Sequence, residues 1–237
     1  MADCEDPVRS SAPRDVILKA AGIRKVYRSG DHDLEVLRGI DLELREGETV
    51  AITGASGVGK STLLHILGTL DRPTAGRLEI TARDVLSLSD EGLAEFRNRH
   101  IGFVFQFHNL LPEFTALENV MLPAWISRQS EAADDRARRL LEQVGLGQRL
   151  HHRPGELSGG ECQRVAVARA LVMSPRLVLA DEPSGNLDED ASQRLHDLLR
   201  ELARTESQTF LVMTHDRELA ASLDRAGKID DGYLHLD

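Results

Sequence analysis

The run Thr49-Val50-Ala51-Ile52-Thr53, continued by Gly54-Ala55-Ser56-Gly57-Val58-Gly59-Lys60-Ser61-Thr62, decides the fold. TVAIT is short, apolar and β-rich, and reads as a buried strand. The residues from Lys60 to about Leu70 have helical spacing. Between strand and helix, Gly54 to Ser61 fits G-x-x-x-x-G-K-[ST], in the strand–loop–helix setting this pattern requires. Glycines let backbone N–H groups converge on phosphate oxygens, and the helix N-terminus adds positive potential. Lys60 is the residue type that reaches the β- and γ-phosphates of a nucleotide, and the hydroxyl of Ser61 is a ligand for Mg²⁺. Lys60 is also conspicuous by scarcity, because the chain has 25 Arg but only four Lys (Lys19, Lys25, Lys60, Lys228).

Working outward, VILKAAGIRKVY (16–27) and VLRGIDLEL (36–44) read as strands, with RSGDHDLE as a turn between them. GRLEI (76–80), IGFVFQ (101–106), RLVLAD (176–181) and TFLVMTH (209–215) read as further strands. Helices are expected at 60–70, 89–99, most of 115–149 and 189–206, with a short helix and small strands to the end. Strands alternating with helices imply an α/β fold with a mostly parallel sheet covered on both faces. The helical stretch of about fifty residues in the middle reads as an insertion, and residues 1–15 read as a polar, disordered tail.

Two further stretches bear on chemistry. Leu177-Val178-Leu179-Ala180-Asp181-Glu182 is an apolar strand ending in two acids, where a parallel sheet opens onto its ligand crevice. Asp181 is placed to hold Mg²⁺, and Glu182 to orient or deprotonate a water that attacks phosphorus. Upstream, Leu157-Ser158-Gly159-Gly160-Glu161 opens a helix. Ser158 reads either as a simple N-cap or, with Gly159 and Gly160, as a second anion-seeking helix start.

LSGGE, placed twenty-odd residues before the Asp-Glu strand, resembles the signature motif of ABC-type ATPases, and the resemblance covers about residues 16–237. It implies a P-loop fold of ABC type: a mostly parallel core sheet, an N-terminal antiparallel β-subdomain and an inserted α-helical subdomain at about 107–172, all in one ATPase domain. It implies ATP and Mg²⁺ as ligands and a head-to-tail homodimer. In that dimer Lys60 of one subunit and Ser158 of the other would enclose the same nucleotide. It carries over Tyr27 as the aromatic against adenine, Gln106 as a contact to Mg²⁺ and water, the PSGNLD loop (Pro183–Asp188, with Asp188 near nucleotide) as the interface segment, and His215 as the switch histidine facing the γ-phosphate. This chain departs from the motif with Glu161 and Cys162 where Gln is commoner; Glu161 is expected to turn away from phosphate and cap its own helix.

The wording of RNRHIGFVFQFHNLLPEFTALENVMLP (97–123), of HILGTLDRPTAG (65–76) and of HHRPGELSGGE is closer still to the ATPases of lipoprotein-releasing ABC transporters. That resemblance implies an ATPase dimer under two integral membrane subunits of LolC and LolE type, at the cytoplasmic face of the inner membrane. The related alternatives are a MacB-like exporter and an FtsE-like cell-division complex. Six of the nine aromatics lie between Phe96 and Trp125. Phe103 and Phe105 alternate on one strand and read as core, whereas Phe107, Phe114 and Trp125 flank an irregular stretch and read as a partner groove or as subdomain core.

Composition narrows the classes. The 237 residues are 41% apolar and 29% charged, ordinary for a globular domain. No apolar run approaches a membrane span, and the acidic MADCEDPVRSSAPRD start lacks the features of a secretory signal. Cys4 and Cys162 are too few for a disulfide framework, so the cytosol is the expected compartment. The net charge of −10 argues against nucleic acid and against direct attachment to anionic lipid.

Overall fold

The computed structural model describes residues 15–29 and 32–236. The expected tail at 1–15 therefore lies, but for Asp15, outside the described residues. In chain order the elements are β1 (Val16–Ser29), β2 (His32–Arg45), β3 (Thr49–Thr53), α1 (Lys60–Leu67), β4 (Ala75–Ile80), β5 (Arg83–Asp84), α2 (Asp90–His100), β6 (Ile101–Phe105), α3 (Ala116–Ile126), α4 (Ser130–Gln143), α5 (Gly159–Leu171), β7 (Leu177–Asp181), α6 (Glu189–Thr205), β8 (Thr209–Met213), α7 (Arg217–Ser222), β9 (Arg225–Asp230) and β10 (Tyr233–Leu236).

Two sheets organise them. An antiparallel sheet has the order β2-β1-β4-β5, and a second sheet runs β10-β9-β3-β8-β7-β6. In the second, β9, β3, β8, β7 and β6 are parallel and β10 pairs antiparallel at the edge. Period-2 alternation sends the parallel strands' side chains to opposite faces. Leu177, Leu179, Leu211 and Met213 pack with α1 and the antiparallel sheet, whereas Val178, Ala180, Phe210 and Val212 pack with α3, α4, α5 and α6. A strand buried on both faces must be apolar throughout, which is why LVLA and TFLVM show no alternation in the sequence.

Two expectations shift at their edges. The hairpin strands reach Ser29 and His32, well into the segment read as a turn, because Arg28 opposite Asp33 extends the ladder with charged, exposed residues that look like loop. The helix after the phosphate loop stops at Leu67, three residues early, where Gly68 caps it. A Cβ on Gly68 would sit 2.5 Å from the Phe103 ring. The segment expected as helix over 115–149 is two helices, α3 and α4, broken at Ser127–Gln129. The two-residue β5 went unread because its residues, Arg83 and Asp84, are polar and exposed.

Close packing of β6 on α5 rests on Gly102, where an added Cβ would lie 2.3 Å from the Ala170 carbonyl oxygen. Gly102→Ala is expected to lower stability by about 2 kcal/mol, the cost of overpacking against backbone. A urea midpoint equal to that of the parent chain would contradict this.

Candidate active site

The carboxyl ends of β3, β7 and β8 lie side by side, with Ile52 and Asp181 each paired to Met213. Whatever follows these strands in sequence must therefore meet in space. After β3 comes the glycine loop, with Gly54 at φ 154°, Gly57 at 77° and Gly59 at 108°. Gly59 is the N-cap of α1, and no side chain caps that helix start. A Cβ on Gly59 would lie 2.9 Å from side-chain carbons of both Val36 and Leu37, and one on Gly54 would lie 2.8 Å from the Ile229 carbonyl oxygen. These two positions thus exclude a side chain for steric as well as conformational reasons.

Lys60 is 8% exposed. Its ammonium donates to the carbonyl oxygens of Gly54 (2.8 Å) and Ala55 (3.2 Å), which curls the loop around it. It also lies 3.6 Å from Glu182 Oε1. At the end of β7, the Asp181 carboxyl lies near the Ser61 side chain. Burial pushes the Asp181 carboxyl above its ordinary range; the Ser61 hydroxyl opposes that shift and the neighbouring Glu182 carboxylate adds to it. Asp181 Oδ1 is buried with no hydrogen-bond partner.

Glu182 takes a left-handed backbone, φ 46°, unusual for a side chain of this kind. Its amide donates to the Met213 carbonyl at 2.9 Å, which fixes the turn. After β8, His215 approaches the same carboxylate twice: its backbone N–H donates to Glu182 Oε2 at 3.2 Å, and its Nδ1 lies 2.7 Å from that atom. β8 ends at Met213, so His215 stands two residues beyond the strand that was expected to end on it. The imidazole is largely exposed and the Glu182 carboxylate is not.

Gln106, just past β6, donates from Nε2 to Asn186 Oδ1 at 3.3 Å, and Asn186 Nδ2 returns a bond to the Gln106 carbonyl at 3.1 Å. Gln106 is thereby tied to the Pro183–Asp188 loop. Asp188 caps α6, accepting from the Ala191 amide at 2.7 Å. Ser158, Gly159 and Gly160 are elsewhere: Gly159 and Gly160 lie against Leu187 and Ala191. Ser158 and Glu161 form a reciprocal capping box, and the bond from the Ser158 N–H holds the Glu161 carboxyl below its usual range. Glu161 is thus turned onto its own helix. Tyr27 lies in the antiparallel sheet, 41% exposed, with its hydroxyl donating to Asp71 at 3.1 Å and the Lys25 ammonium over its ring.

Three positioning residues escaped the sequence reading. Gln163 donates to the Phe105 carbonyl at 2.8 Å, Arg169 donates to the carbonyls of His108 and Asn109, and fully buried Asn119 holds Leu111, Phe114 and Thr115 through four bonds. Together they fix the chain on both sides of Gln106. A buried polar residue on an otherwise apolar helix face, as at Asn119, was the available signal. Phe103 and Phe105 stack at 5.6 Å and are half-buried rather than core. With Leu70, Pro123, Ile126 and Met173 they line an apolar groove of about 390 Å³. Phe107 is 69% exposed and Trp125, which packs on Phe114, is 41% exposed.

The ABC transporter family profile matches residues 37–185. This chain belongs to the ABC transporter family. It is 54% identical to the lipoprotein-releasing system ATP-binding protein LolD of Geobacter metallireducens, over 93% of this chain and 99% of the relative. It is also 54% identical to the LolD protein of Myxococcus xanthus, over 92% and 98%. Among solved structures, the dimeric post-hydrolysis state of the ATP-binding cassette MJ0796, bound to ADP and Pi, matches with a TM-score of 0.85 and 38% identity, over 93% of this chain and 98% of that one. The cbiO1 subunit of the cbiONQ ABC transporter complex of Clostridium perfringens matches with a TM-score of 0.83 and 29% identity, over 94% and 88%. The ABC cassette fold, with its antiparallel sheet on a mixed, largely parallel one, is therefore what the sequence led one to expect.

Asp181 gives a stability prediction. A carboxyl whose folded pKa is raised binds its proton more tightly in the fold than in the unfolded chain, so stability falls as pH rises through that pKa. At neutral pH the ionised group is a net cost. Asp181→Asn is expected to stabilise the ligand-free protein at neutral pH by about 1 kcal/mol, with the gain shrinking as pH falls through the folded pKa of Asp181. Thermal melts at neutral and acidic pH check it; a lower melting temperature for the variant at neutral pH would refute it.

Proposed function

We propose that this ABC cassette hydrolyses ATP to ADP and phosphate in a head-to-tail homodimer, and that the dimer drives two integral membrane subunits that release lipoproteins from the membrane. The observation that carries the chemistry is the Glu182 carboxylate held between two partners, Lys60 Nζ 3.6 Å from Oε1 and His215 Nδ1 2.7 Å from Oε2, at the carboxyl ends of neighbouring parallel strands. The names of the relatives, at 54% identity over nearly the whole chain, carry the physiological task.

The residues fit a nucleotide and a divalent cation. Backbone N–H groups of Gly54–Thr62 and the uncapped start of α1 offer a positive concavity to phosphates. Lys60 neutralises charge on the β- and γ-phosphates, replacing its bonds to the loop carbonyls. The unsatisfied Asp181 Oδ1, the Ser61 hydroxyl and the Gln106 side chain are the oxygen donors of a Mg²⁺ site; when bound, this ion offsets phosphate charge. Glu182 accepts a proton from the attacking water as its oxygen bonds to the γ-phosphorus and the bond to the ADP oxygen breaks. His215, hydrogen-bonded to the same carboxylate, orients Glu182 and faces the γ-phosphate.

Ser158, Gly159 and Gly160, which neighbour Leu187 and Ala191, are assigned to the nucleotide of the other subunit, and the Pro183–Asp188 loop to the dimer interface. MJ0796 forms a dimer in the related structures. Tyr27 is assigned to adenine. Among the described residues no helix is long and apolar enough to cross a membrane. The helical subdomain at about 107–172 is assigned to the membrane partners, of LolC and LolE type, with the exposed Phe107 and Trp125 as contacts at the cytoplasmic face of the inner membrane. Gln106 links that segment to the nucleotide through Asn186.

Two experiments test these assignments. Glu182→Gln should keep ATP binding and lower turnover at least about a hundredfold, so that Mg-ATP traps a dimer on size exclusion; phosphate release at the parent rate would remove Glu182 from its role. Phe107→Ala with Trp125→Ala should leave basal turnover intact but weaken co-purification with the two membrane subunits by about tenfold. Recovery of partners at the parent level would place the contact elsewhere, and a partner set of cell-wall hydrolase regulators would replace lipoprotein release with a division role.

A further inference from the structure

His196 lies in the middle of α6 and is 4% exposed. The neighbouring core positions of that helix are Leu195, Leu198, Leu199 and Leu202. A polar ring among leucines is costly to bury unless it is engaged at its nitrogens. Nε2 is hydrogen-bonded to the Ser184 hydroxyl at 2.9 Å, and Nδ1 faces Asp216 Oδ2 at 3.9 Å, beyond hydrogen-bond length but close enough for the carboxylate to act on the ring's dipole. Ser184 is two residues past Glu182, and Asp216 directly follows His215. Glu182 and His215 are themselves hydrogen-bonded. The sequence neighbours and contacts therefore form a circuit, Glu182, Pro183, Ser184, His196, Asp216, His215 and back to Glu182, hydrogen-bonded at Ser184–His196 and Glu182–His215 and completed by the 3.9 Å approach of His196 to Asp216. Each flank is pinned further. Asp216 Oδ1 caps α7, accepting from the amides of Glu218 and Leu219, and the Ser184 carbonyl accepts from the Ser192 hydroxyl.

We infer that His196 is a positioning residue for hydrolysis, a buried staple that fixes the loop after Glu182 to the loop after His215 and so sets the approach of these two groups. The inference rests on the proposed roles of Glu182 and His215. Burial holds the ring below its usual pKa, with Arg200 adding to that and Asp216, Asp197 and Glu218 opposing it, so the imidazole is neutral at pH 7. With a carboxylate facing Nδ1, the proton sits on Nδ1 and Nε2 accepts from the Ser184 hydroxyl. The backbone of Glu182 is held at a left-handed φ, a conformation that relaxes unless its surroundings over-determine it. The staple is one such surrounding contact, on the side away from the phosphate loop.

The test is a double-mutant cycle on the full-length ATPase. His196→Phe preserves volume and removes both polar contacts, and Ser184→Ala removes one of them from a half-buried loop with little risk to folding. Each variant should lower kcat about tenfold with KM for ATP within twofold, and the double variant should be no slower than the worse single variant. His196→Gln, which can present an acceptor near the Nε2 position, should recover most of the rate. In the parent protein, ¹⁵N spectra of the ring should show the neutral Nδ1–H tautomer. Parent-level kcat in His196→Phe, or additive effects in the cycle, would overturn the staple. If His196→Phe fails to fold, Ser184→Ala alone decides on the same kcat criterion. Glu182→Gln is measured alongside: should it retain turnover, the catalytic reading fails, whereas loss of turnover there with a normal Ser184→Ala defeats only the staple.

Discussion

The site depends on the register of three parallel strands. Pairing of β3 with β8, and of β8 with β7, places their carboxyl ends in one row. A parallel ladder cannot slip by one residue without turning its apolar residues from one core to the other. Here both faces are buried, one against α1 and the antiparallel sheet, the other against the helices. The two cores thus hold the register, and the register holds the glycine loop, Asp181, Glu182 and His215 within reach of one another.

The cost of that arrangement falls on a few groups. Asp181 is ionisable and half-buried, with one enclosed oxygen left unsatisfied. Glu182 keeps a left-handed backbone, and Lys60 is nearly enclosed, with loop carbonyls and one carboxylate as partners. Each feature is unfavourable in isolation and each belongs to the cluster assigned to phosphate chemistry. Left-handed side-chain-bearing residues also occur away from the site, for example at Thr81 and Asp231, so the mark of this cluster is the coincidence of such a residue with an unsatisfied carboxylate oxygen and an enclosed ammonium.

Sequence legibility followed the same division. The phosphate loop, the Asp-Glu strand and the elements bearing them were readable because glycine positions, apolar runs and acids at a strand end have direct local causes. Boundaries failed where the signal is not local: β1 and β2 continue through Arg28 and Asp33, polar residues paired in register, and α1 ends at Gly68, a position that packs on the Phe103 ring, before the left-handed Thr69. His196 drew no notice because a lone histidine in a helix carries no local signature. Its partners, Ser184 and Asp216, are brought to it only by the fold. Arg169 was silent for the same reason, since its partners are the backbone carbonyls of His108 and Asn109, which no side-chain pattern announces.

The position of Gln106 ties these observations together. It follows the last strand of the parallel sheet, it is bonded to Asn186 in the loop that also holds Ser184, and the chain on both sides of it is fixed by Gln163, Arg169 and Asn119. A displacement at the Glu182 turn is therefore shared with Gln106 through Asn186 and with His215 through His196. The segment that carries the exposed Phe107 is tied down by the bonds of Arg169 to His108 and Asn109, so it joins Gln106 to the helices through fixed contacts rather than through a free loop. On this argument the buried polar bonds flanking the site do more than stabilise it: they make the proposed catalytic turn and the partner-facing surface parts of one mechanical unit.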